Sequence, residues 1–254
     1  MNDLQEIIKR IQTPHLEQVL RDFPVAILHG ARQTGKTTLT QVPQIGRDRS
    51  YLTLDDFDIL DLARRDPAAL FMGRERITLD EVQRQPDILM AIKSSVDRHR
   101  APGRFLLTGS ANLLLMKQAA ESLAGRAVYV NLPPLTWAEI ERRDFGATID
   151  LLLEKETADE ILECISDELV TPTRKLSAAV FAGGYPLPAL AREASFRTRW
   201  FDGYVQTYLE RDLRDLSSTD NLVEFRRFMR ICAAQNGRLL NIGILFIKRG
   251  PGLV

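Results

Sequence analysis

Residues Gly30 to Thr37 read Gly-Ala-Arg-Gln-Thr-Gly-Lys-Thr and stand one histidine after the apolar run Val25-Ala26-Ile27-Leu28. The chemistry this order of residues supports is phosphate binding. A strand that ends in a glycine-rich turn points successive backbone N–H groups at one spot, and the helix that follows adds its positive amino end. Gly30 and Gly35 permit a backbone path and a close approach that a Cβ would obstruct, while Lys36 has the length to reach β- and γ-phosphates and the Thr37 hydroxyl suits Mg²⁺. Ala31, Arg32, Gln33 and Thr34, with Thr38 just beyond the motif, complete the stretch expected to wrap the phosphates of a nucleoside triphosphate.

A second set of reactive groups lies downstream. Arg76-Ile77-Thr78-Leu79-Asp80-Glu81 is a short, mostly apolar segment ending in two carboxylates, where a Mg²⁺-coordinating aspartate belongs in a phosphate-loop NTPase. Asp80 is therefore assigned to the metal, through water. Glu81 is placed to polarise an attacking water as general base, an effect of roughly 10²–10⁴ in rate. The bland alternative, a solvated Asp-Glu pair before a helix, loses weight once the phosphate loop is counted. A third segment, Phe105-Leu106-Leu107-Thr108, leads into Gly109-Ser110-Ala111-Asn112. Thr108 or Ser110 is a candidate to orient the water, and a helix cap is an equal reading of the same residues.

These groups need a scaffold, and the pattern supplies one. Strands are expected at 25–28, 51–54, 76–79, 105–108 and 127–131, with helices from Lys36 to Pro43, at 57–65 and at 86–98. Strands alternating with helices predict an α/β fold with a parallel sheet. Leu4, Ile7, Ile8 and Ile11 recur at helical spacing, which predicts an amphipathic helix within residues 1–23. The strand at 51–54 falls between the phosphate-loop strand and the Asp80 strand in sequence. In the additional-strand class of phosphate-loop NTPases another strand separates those two in space, and here the strand at 105–108 is the candidate. That arrangement, with Glu81 present, favours an AAA-like ATPase over a nucleotide kinase by fold analogy.

Composition narrows the function class. Of 254 residues, 44% are hydrophobic, which suffices for one sizeable core and a smaller unit. Thirty-four basic residues balance thirty-four acidic ones, so no global field draws the chain to nucleic acid or an anionic membrane. Cys164 and Cys232 are far apart in sequence, and His15, His29 and His99 are scattered, so neither a disulfide framework nor a protein-held transition metal is indicated. The amino terminus lacks the pattern of a secretory signal, and no apolar stretch approaches the roughly 18 residues that span a bilayer. A cytoplasmic protein with free thiols is expected.

Several segments taken in order resemble a known group. They are Val25 to Thr38, Tyr51-Leu52-Thr53-Leu54-Asp55-Asp56, Leu79-Asp80-Glu81-Val82-Gln83, Leu107-Thr108-Gly109-Ser110 and Leu123-Ala124-Gly125-Arg126. Together they resemble bacterial and archaeal AAA-type ATPases in which the ATPase domain is joined to a C-terminal, nuclease-related domain of unknown function. Gly183-Gly184-Tyr185-Pro186 and Tyr208-Leu209-Glu210-Arg211-Asp212-Leu213 are similar to that family's second region. The resemblance implies ATP rather than GTP, Mg²⁺, and hydrolysis through Lys36, Thr37, Asp80 and Glu81. It adds Arg126, whose guanidinium would reach phosphate oxygens of the same or a neighbouring subunit in a homo-oligomer; a salt-bridged surface arginine is the alternative.

The expected division is residues 1–23 as an N-terminal helix, 24–145 as the ATPase domain, 146–235 as a helical region, and 236–254 as the start of a winged-helix-like domain. Phe196, Trp200, Phe201, Tyr204, Val205, Tyr208 and Leu209 share one helical face, as do Leu222, Phe225, Phe228, Met229 and Cys232. Such stripes read as core before they read as a base-stacking platform. The tail from Gly243 to Val254 does not continue the family's pattern, so a truncated or frameshifted C-terminal domain is expected, with no nuclease function carried onto missing residues. Three functions follow: an ATPase that drives or gates a C-terminal module, a non-hydrolysing ATP-gated switch that binds protein or DNA, and a remnant that only binds ATP.

Overall fold

The computed structural model describes residues 7–110, 121–143, 155, 157–168, 176–209 and 222–235. The chain divides into two compact units, Met1–Arg199 and Trp200–Val254. The first holds a five-stranded sheet: β1 (Val25–Gly30), β2 (Ser50–Thr53), β3 (Ile77–Asp80), β4 (Phe105–Ser110) and β5 (Ala127–Asn131). Its order is β2-β3-β4-β1-β5, and every neighbouring pair is parallel. β4 therefore stands between the phosphate-loop strand and the Asp80 strand, which is the additional-strand arrangement expected from the sequence.

Parallel strands buried on both faces need apolar residues in both alternating sets. Val25 and Ile27 face one layer with Ile77, Leu79, Phe105 and Leu107, where α4 (Phe57–Arg65) and α5 (Ile88–Arg98) pack. Ala26 and Leu28 face the other, against Leu16 and Val19 of α1 (Gln12–Asp22) and Leu39 of α2 (Lys36–Gln41). Local chemistry sets the ends. Asp56 caps α4 by accepting from the N–H groups of Asp58 and Ile59 at 2.9 and 3.2 Å. Pro43 follows the end of α2 and opens the short α3 (Pro43–Gly46), where its missing N–H costs nothing.

The N-terminal helix differs from expectation. Residues 7–10 are not helical, and α1 begins at Gln12 with Pro14 in its first turn, the one helical place where proline is tolerated. Ile7 and Ile11 are exposed by 59% and 40%, whereas Arg10 between them is buried. The spacing of the isoleucines misled because a polar anchor, not an apolar stripe, holds this segment down.

After β5, Thr136 and Glu139 form a reciprocal cap for the turn of helix Trp137–Ile140. Helices Ala158–Glu168, Leu176–Ala182, Pro186–Leu190 and Ala194–Tyr204 follow, the last running into a π-helical turn at Val205–Leu209. Gly184 marks a close approach: the Leu135 N–H donates to its carbonyl at 2.7 Å, and a Cβ would collide with the Leu135 carbonyl oxygen. In the second unit Trp200 stacks on Tyr204 with ring centroids 5.0 Å apart and meets Phe201 edge-on, so these rings engage one another. Helix Leu222–Ala234 carries the second apolar stripe. The tail at 236–254 and the segment 210–213 lie outside the described residues.

Candidate functional site

The site lies at the carboxyl ends of the strands, where open α/β sheets form their ligand crevice. β1 ends at Gly30, whose backbone runs so close to Leu132 that a Cβ would meet the Leu132 carbonyl oxygen. Gly35, with φ of 92°, carries the turn through the left-handed region into α2. Thr34 is fully buried and its hydroxyl donates to the Ala31 carbonyl at 3.0 Å, closing the loop on itself. The Lys36 ammonium, also buried, donates to the carbonyls of Gly30 at 3.1 Å and Ala31 at 2.9 Å. Burial pulls its pKa below the usual lysine value and Arg32 adds to that, while Glu81 and Asp80 oppose it. His29 is lowered by burial and by Lys36. Thr38 sits exposed beyond the loop.

Asp80 ends β3 and is only 3% exposed. Its Oδ2 accepts from the Thr37 hydroxyl at 2.8 Å and from the Tyr51 phenol at 2.6 Å. Its Oδ1 accepts from the Thr108 hydroxyl and from the Glu81 N–H at 3.1 Å. Thr37 and Asp80 thus present two hard oxygen donors side by side beneath the phosphate loop, a donor set suited to Mg²⁺ completed by phosphate oxygens and water. Burial raises the Tyr51 phenol pKa, and the Asp80 carboxylate raises it further. Glu81 directly follows the strand with φ of 58°, an uncommon conformation for a non-glycine residue, and its carboxylate accepts from the Gln83 amide.

The structure therefore brings Gly30, Lys36, Thr37, Asp80, Glu81 and Thr108 together. Ser110 pairs in register with Gly30 through the backbone, and its side chain lies outside the described residues. Arg126 goes elsewhere. Its carbonyl accepts from the Val25 N–H at 3.3 Å, at the amino end of β1, and its guanidinium pairs with Asp97 at 2.5 Å. Gly30 stands five positions beyond Val25 along β1, roughly 16 Å of strand. Arg126 is thus removed from its own chain's phosphate loop, and Asp97 is held below the usual carboxylate range by that hydrogen bond.

Two groups escaped the sequence reading. Arg10 donates to the Thr34 carbonyl at 2.7 Å, to the Pro133 carbonyl at 2.6 Å and to Glu139 at 3.0 Å. Glu139, 2% exposed, also accepts from the Ile11 and Thr136 N–H groups, both at 2.7 Å. This buried pair ties the N-terminal segment to the phosphate loop, and no local spacing announces a partner so far along the chain. Tyr51 was the other. Its role becomes visible only once β2 is known to pair with β3. Beside the loop lies a largely apolar cavity of about 570 Å³ bordered by Ile7, Ile8, Thr38, Val42, Pro186 and Leu190.

Residues 22–141 match the family model of the AAA domain. This segment is an AAA domain. Residues 173–245 match a second model, a domain of unknown function (DUF8612), so the AAA domain here is followed by a C-terminal region of its own family. Among curated proteins, Rv2008c of Mycobacterium tuberculosis and Mb2031c of Mycobacterium bovis, both described as uncharacterized, are each 33% identical over 237 residues. That match covers 92% of this chain and 46% of each relative, so the chain spans about half their length. Among solved structures, the Walker-type ATPase PABY2304 of Pyrococcus abyssi is 16% identical with a TM-score of 0.48, covering 96% of this chain and 89% of that one. AMPPCP-bound DnaA from Aquifex aeolicus is 14% identical with a TM-score of 0.40, covering 95% and 86%.

Proposed function

We propose that the AAA domain binds ATP with Mg²⁺ and hydrolyses it, and that this cycle drives or gates a C-terminal module. The observation that carries the reading is the convergence of the Lys36 ammonium, the Thr37 hydroxyl and the Asp80 carboxylate at one end of the sheet, with Glu81 next in the chain. In this reading Gly30 to Thr38 wrap the phosphates, and Lys36 exchanges its two loop carbonyls for phosphate oxygens, a stronger charge-assisted contact. Thr37, and Asp80 through water, would hold Mg²⁺, which when bound would supply charge neutralisation to the phosphates. Glu81 takes a proton from water as its oxygen bonds to the γ-phosphorus, while the bond from that phosphorus to the bridging oxygen breaks and ADP departs. Ser110 helps to orient that water. The base occupies the apolar cavity beside the loop.

Arg126, remote from its own loop, serves hydrolysis only across an interface, which makes a homo-oligomer part of the proposal. Residues 24–145 form the catalytic domain in this reading, with 1–23, 146–235 and 236–254 as N-terminal, helical and C-terminal segments, acting in the cytoplasm. The test is Mg²⁺-dependent ATP turnover in the parent chain and two variants. Lys36→Ala is expected to lose binding, and Glu81→Gln to bind without turning over. Undiminished turnover in Glu81→Gln would remove the general base. One observation favours a second reading, a non-hydrolysing switch: the Glu81 carboxylate is engaged by Gln83. ATP affinity with no turnover above background would select it.

A further inference from the structure

Asp80 is surrounded by more donors than a metal-binding carboxylate can keep. A carboxylate offers about four lone-pair sites, and all four are taken: Thr108 and the Glu81 N–H on Oδ1, Thr37 and Tyr51 on Oδ2. Binding a metal, whether directly or through a metal-held water, requires one of these sites. The question is which donor yields.

Three of the four are poorly placed to leave. The Glu81 N–H is fixed by the backbone at the end of β3, and Thr108 is 1% exposed inside the sheet. Thr37 can ligate a metal through a hydroxyl lone pair while its proton stays on Asp80, because a hydroxyl has one donor and two acceptor sites. Tyr51 differs from all of them. It lies on the edge strand β2, it is 37% exposed, and the hydroxyls of Thr53 and Thr37 sit beside its phenol as alternative partners. Its hydrogen bond to Asp80 can be exchanged for Thr53 or solvent with little change in the core.

We infer that the Tyr51 phenol is a displaceable occupant of the metal-facing lone pair of Asp80, and that it sets the metal concentration the site requires. Tyr51 is then a positioning residue that acts through Asp80 and competes with the metal for it. This inference rests on the proposed Mg²⁺-nucleotide site. The sign of its consequence is distinctive. If Tyr51 merely braced the carboxylate, removing its hydroxyl would weaken metal binding; if it competes, removal strengthens it.

The experiment is titration of Mn²⁺, followed by electron paramagnetic resonance, into the full chain with saturating ADP, which reads metal affinity without turnover. Tyr51→Phe keeps the ring and its packing. It is expected to bind Mn²⁺ about tenfold more tightly than the parent, the scale of one charge-assisted hydrogen bond no longer opposing the metal. In the parent, metal addition should also produce a tyrosine ultraviolet difference spectrum that Tyr51→Phe lacks. Equal or weaker Mn²⁺ binding by Tyr51→Phe would overturn the competition while leaving the nucleotide site standing. A parent chain that binds ADP without any response to Mn²⁺ would overturn both this inference and the Mg²⁺ site it rests on.

Discussion

Lys36 and Arg49 are cations lodged at opposite ends of one sheet, and their surroundings differ in kind. Arg49, half-buried at the amino end, has all three guanidinium nitrogens engaged: Nε donates to the Thr78 hydroxyl at 3.0 Å, and the two terminal nitrogens to the Ile77 and Gly103 carbonyls, both at 2.6 Å. Burial and the nearby Arg76 pull its pKa down to about 10, so it stays charged at neutral pH. Lys36 spends two of three ammonium hydrogens on loop carbonyls, and among the described residues no carboxylate touches it. A cation anchored through every nitrogen to strand and loop acceptors holds strands together. One left with weak, exchangeable partners is poised for an anion. On the proposed function, the same residue class thus marks architecture at one end and ligand chemistry at the other.

The largest test of that contrast is Lys36→Ala. Nucleotide affinity, measured by titration calorimetry, should fall on the order of a thousandfold, with thermal stability kept or raised because a buried charge has gone. Arg10 sharpens the comparison, since all three of its nitrogens are engaged yet one of them holds the phosphate loop through Thr34. Arg10→Ala should cost about 3 kcal/mol in urea unfolding by leaving Glu139 buried and unpaired, and should weaken nucleotide binding as well. Arg49→Ala should cost about 2 kcal/mol by orphaning its acceptors. Affinity per folded molecule should not change, and a parallel loss there would break the contrast. The smallest effect is in pH. Because burial lowers the Lys36 pKa from 10.5, the unfolded chain binds a proton that the folded chain lacks between the lowered value and 10.5. Stability should therefore rise with pH through that window, and Lys36→Met should flatten the rise.

Most of the candidate site's geometry was legible because it rests on local order. The Gly-Lys-Thr run, the apolar strand before it and the Asp-Glu pair closing another strand each carry their meaning within a few residues. The position of β4 was also readable, by analogy with the additional-strand class, in which another strand separates the phosphate-loop strand from the Asp80 strand. What escaped depends on distant partners. Arg10 looked like a polar gap in an isoleucine stripe, although its contact with Glu139 makes it the buried residue of that segment. Thr108 and Ser110 were indistinguishable as hydroxyl candidates until the register set Thr108 beside Asp80. Arg126 was read from its neighbours alone, and only the pairing of Val25 with Ala127 reveals which end of the sheet it occupies.

The order β2-β3-β4-β1-β5 also governs when the site can exist during synthesis. Both sheet partners of β1 come late in the chain, β4 at Phe105–Ser110 and β5 at Ala127–Asn131. Until β4 has emerged and slotted between β1 and β3, the loop lysine and Asp80 belong to separate fragments, each with an unpaired strand edge. Parallel pairings of this range close slowly and leave such edges open to association with other chains. A nascent chain of this protein should therefore pass through a window, between the synthesis of β3 and the insertion of β4, in which it is most exposed to aggregation and, on the proposed function, least able to be rescued by nucleotide.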